Sequence, residues 1–63
     1  MSASPTDLAD ALIRMFGQGA VRQARDNAAS NARAGDVSSE KMWLAVAAIV
    51  TDKLSALRRA GPR

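Results

Sequence analysis

The sequence predicts an all-α fold, either a three-helix bundle or a helical hairpin with an N-terminal third helix, and in both cases a long C-terminal helix. Three observations predict it. Large apolar residues recur at helical spacing in two stretches, 8–16 and 42–57. Between and around them lie helix start and stop signals, Ser4-Pro5-Thr6-Asp7, Gly17-Gln18-Gly19 and Gly35-Asp36. The segment between the two glycine signals is rich in alanine, which favours helix.

The first helix is expected over 5–16. Ser4 is placed to cap a free backbone N–H, Pro5 suits the first helical position because it has no N–H to leave unpaired, and Asp7 completes a box-like pair with Ser4. Leu8, Ala11, Leu12, Met15 and Phe16 then repeat at i, i+3, i+4, i+7 and i+8, with Ile13 on the flank of that face. Asp10 and Arg14, four apart on the opposite side, are placed to pair along the helix. Gly17 and Gly19 favour a turn over a single long bent helix, because glycine accepts the left-handed backbone that ends a helix.

A second helix follows over 20–34. Its inward candidates are Val21, Ala24, Ala28 and Ala32, small residues that allow a neighbouring backbone to approach closely. Gly35 suits the residue just past its end, and Asp36 is placed to cap the third helix. A connection that short sets the two helices antiparallel.

The third helix, over 37–59, organises the rest. At about 100° per residue, Trp43, Ala47, Val50, Leu54 and Leu57 share one stripe, widened by Met42, Val46 and Ile49. Lys41, Ala45, Ala48, Asp52, Ser55 and Arg59 make the wet face. The expected core is Leu8, Leu12, Met15, Phe16, Val21, Ala24, Ala28, Trp43, Val46, Val50 and Leu54. Being longer than its partners, the third helix is expected to leave part of its apolar face uncovered.

With 63 residues the chain is read as a single small helical domain, with residues 1–4 and 60–63 expected to be disordered. A core of that size supplies only about 3–5 kcal/mol, and no cysteine is present to add a disulfide. Oligomerisation is therefore an expectation. The N-terminus shows no basic and apolar leader pattern, and the longest apolar run, Met42 to Val50, is far shorter than the roughly 20 residues of a membrane span. Together with the lack of cysteine, this gives a cytoplasmic expectation.

Histidine, cysteine and tyrosine are all absent, which removes the commonest general base and the thiolate and phenol nucleophiles. The six carboxylates all fit helix caps, first turns or faces shared with Arg and Lys. The reading is therefore non-enzymatic, with no catalytic residue, no metal site, no cofactor and no small-molecule substrate. Two surfaces are left. The apolar face of the third helix, Met42, Trp43, Val46, Ile49, Val50 and Leu57, is the candidate protein interface, for a homo-oligomer or for a larger partner.

The alternative is a nucleic-acid contact. Arg22, Arg25 and Arg33 project within roughly 80° of one another on the second helix, and Arg14, Asn27, Asn31 and the basic C-terminus could assist them. A helix-turn-helix across Gly35-Asp36 does not fit, because its recognition helix would be the most apolar element of the chain.

Ala11-Leu12-Ile13, Gly17, Ala20, Ala24, Ala28, Gly35-Asp36, Trp43, Ile49 and Leu57 together resemble a group of short, uncharacterised alphaproteobacterial proteins. These carry an apolar first helix, an alanine-rich second helix, a Gly-Asp turn and a tryptophan-bearing final helix. The resemblance implies a bacterial cytosolic origin and no particular activity.

Overall fold

Ser4 opens the first helix as its sequence suggests: its Oγ accepts the Asp7 N–H at 3.1 Å, and its carbonyl accepts the Leu8 N–H at 3.0 Å. The structure, a computed structural model, describes residues 4–60. It is all-α, two helical arms joined by a turn over 34–36, with no strand among the described residues. The first arm holds α1 (Pro5–Phe16), a 3-10 turn (Gly17–Gly19) and α2 (Ala20–Arg33); the second is α3 (Val37–Arg59). The disorder expected for 1–4 and 60–63 lies outside the described residues except at Ser4 and Ala60. Those two residues are placed as helix caps.

Gly17 divides the first arm. Its φ of 57° and ψ of −123° lie where a Cβ is strongly disfavoured, while its N–H still bonds to the Ile13 carbonyl and closes α1. Gly19 has an ordinary φ of −82°, and a Cβ there would meet Phe16 Cβ at 3.9 Å, a normal contact. The two glycines therefore differ in sign. Gly17→Ala is expected to cost about 1–3 kcal/mol through backbone strain. Gly19→Ala should gain about 0.4–1 kcal/mol by restricting the unfolded chain. Urea unfolding of the two variants checks this, and equal effects would mean that Gly17 holds no special backbone.

The second turn uses every residue it has. Gly35, at φ 80°, bonds through its N–H to the Ala32 carbonyl at 3.0 Å, and the Asp36 N–H reaches the Asn31 carbonyl at 2.9 Å. That pair of bonds is a Schellman motif, which satisfies the last carbonyls of α2. Ala34 thus caps α2 instead of extending it. Asp36 then starts α3, its Oδ1 accepting the Ser39 N–H at 3.1 Å. Bonds from the Ser39 side chain and then its backbone N–H hold the Asp36 carboxyl below its ordinary pKa. Because the folded value is the lower one, this cap contributes above the ordinary carboxylate pKa. Its contribution is lost as pH falls through the depressed value.

The core is built from small residues. Ala9 and Leu12 of α1, Ala20, Ala24 and Ala28 of α2, and Val46, Ala47, Val50 and Leu54 of α3 are buried. Ala20, Ala24 and Ala28 repeat every fourth residue, a row of methyl groups that lets the α2 backbone close on α3. Ala32, expected to join this seam, is exposed, because it lies in the last turn of α2 beside the glycine turn.

The expected core is corrected at two further places. Met15 is 69% exposed and Phe16 45% exposed. The buried centre of α1 is Ala9 and Leu12, and at about 100° per residue Met15 lies some 120° round from Ala9. Phe16 has the right direction but sits at the helix end, past its cover. Leu8, Val21 and Trp43 are partly buried at the edge of the core, and Trp43 packs against the side of the core instead of filling its centre.

Candidate functional site

Of the six residues expected at the α3 interface, Val46 and Val50 are completely buried inside the chain's own core. They are thereby removed from any interface, because α1 and α2 cover the centre of the stripe. Met42, Trp43 and Ile49 are partly buried and pack against the core from its edge. Leu57 is 61% exposed, but not because α3 outruns its partners, the reason expected: α1 reaches along the last turns of α3 and lines the same groove as Leu57 and Ala60.

Leu57 is not isolated. With Ile13, Arg14 and Asp10 of α1, Lys53 and Ala56 of α3 and its cap residue Ala60, it lines an open groove of about 610 Å³. The groove lies where α1 packs along the last turns of α3, and Ala56 and Ala60 are too small to fill the space between the two helices there. Its wall is mainly apolar, and its charged groups sit together at the rim. Lys53 Nζ lies 3.2 Å from Asp10 Oδ1, tying α1 to α3. Asp10 thus pairs across helices, not with Arg14 along α1 as the spacing suggests. The side chains of Lys53 and Asp10 remain 39% and 46% exposed, so the pair stabilises by no more than about 0–1 kcal/mol.

This groove joins residues that the sequence assigns to separate roles. Leu57 stands in the expected apolar interface, Arg14 among the expected phosphate contacts, and Ile13 on the flank of α1. Ala56 and Ala60 carry no signal of their own, and only the packing of α1 on α3 brings them to one surface.

The arginine stripe takes a plainer form. Arg22, Arg25 and Arg33 are exposed along α2, with the exposed Asp26 and Ala29 on the same side. Arg14 lies on α1 in the groove rim. Asn27 and Asn31 do not stand ready for a phosphate: Gln23 Nε2 donates to Asn27 Oδ1 at 3.1 Å, and Asn31 Nδ2 donates to the Asn27 carbonyl at 3.0 Å. The amides therefore run as a partly buried row along α2. Arg63 lies outside the described residues.

Among the described residues no group of three or more His, Cys, Asp or Glu is close enough to hold a metal ion, and no helix is long and apolar enough to cross a membrane. What the fold and the groove define is a small all-α chain with one apolar, charge-rimmed edge. Comparison with protein-family models, with curated proteins and with solved structures finds no match to it.

Proposed function

We propose that the chain is a non-enzymatic protein-interaction module of the cytoplasm, a three-helix bundle that acts as a homo-oligomer or as a small subunit on a larger partner. One observation carries the reading. A large apolar side chain, Leu57, stands 61% exposed over a mainly apolar groove in a domain cored mostly by alanine and valine, with Leu12 and Leu54 its only large buried side chains among the described residues. Covering a side chain of that size is worth about 1.5–3 kcal/mol, a large fraction of what so small a core supplies.

The contact surface is thus the Leu57 edge of α3 with the flank of α1, and the centre of the α3 stripe serves the fold. Leu57→Asp tests this, since a carboxylate there is solvated in the free chain but must be desolvated in a complex. The variant should keep the wild-type helical spectrum and lose the complex, read by sedimentation and by capture from lysate of the source cell. Lysate with and without nuclease treatment decides the rival role of Arg22, Arg25 and Arg33, because a nucleic-acid complex disappears on digestion and with added salt. A complex that survives Leu57→Asp but not nuclease would replace the apolar reading with the arginine one.

A further inference from the structure

We draw no further inference here: the strongest candidate, the open apolar groove between α1 and the last turns of α3 with Arg14 and the Asp10–Lys53 pair at its rim, belongs to the surface already described, and nothing in the structure shows what covers it.

Discussion

Ala24→Leu is expected to lower the melting temperature by roughly 10 °C, through overpacking that costs about 1–3 kcal/mol in a domain of this length. Ala24 has no exposed surface and sits between Ala20 and Ala28 in the row that faces α3. Three extra heavy atoms there have no void to enter. They must push α2 away from α3, and the buried contacts of Val46, Ala47 and Val50 loosen with it. The partner variant is Ala32→Leu, two turns further along α2, where the alanine is exposed and the extra atoms reach solvent. Its effect should stay within about 0.5 kcal/mol. Thermal unfolding followed by circular dichroism compares the two, and an Ala24→Leu variant as stable as wild type would mean that α2 presents a different face to α3.

Ala32 also shows how far the sequence could be read. Capping and turn residues act locally, so Ser4, Gly17, Gly35 and Asp36 could be assigned from their chemistry and their neighbours alone, and helix boundaries followed to within a residue. The direction of each face is less local. On α1 the spacing gave equal weight to Ala11, Leu12, Met15 and Phe16, yet burial selects Ala9 and Leu12, because alanine is what close approach of another helix requires. A stripe of large residues attracts attention in a sequence; a buried alanine does not.

The groove was legible only in pieces. Leu57 could be picked as apolar and Arg14 as cationic, but their meeting depends on the angle at which α1 leaves Gly17 and lies on α3. The Asp10–Lys53 pair depends on it too: spacing along one helix suggests Arg14 as the partner, and only the fold supplies Lys53.

The largest effect of any single change should come from Val50→Asp, which is expected to leave the chain unfolded at neutral pH. Val50 has no exposed surface and sits in the centre of the α3 stripe, enclosed by the alanines and Leu12 of the first arm. A carboxylate there loses its water, and no buried polar group is present among the described core residues to bond it. The penalty of several kcal/mol for an unpaired buried charge matches or exceeds the roughly 3–5 kcal/mol that a core this small provides. Seven residues on, at Leu57, the same substitution meets solvent, because that side chain is 61% exposed. The two variants carry equal charge on nearly the same helical stripe, so net charge cancels in the comparison, and helix propensity, which falls more for Leu→Asp than for Val→Asp, works against the expected difference. Far-ultraviolet circular dichroism at low micromolar concentration should show the helical signal lost in Val50→Asp and retained in Leu57→Asp. A folded Val50→Asp chain would show that the centre of α3 faces outward after all, and that the contact surface lies there instead of along the Leu57 edge.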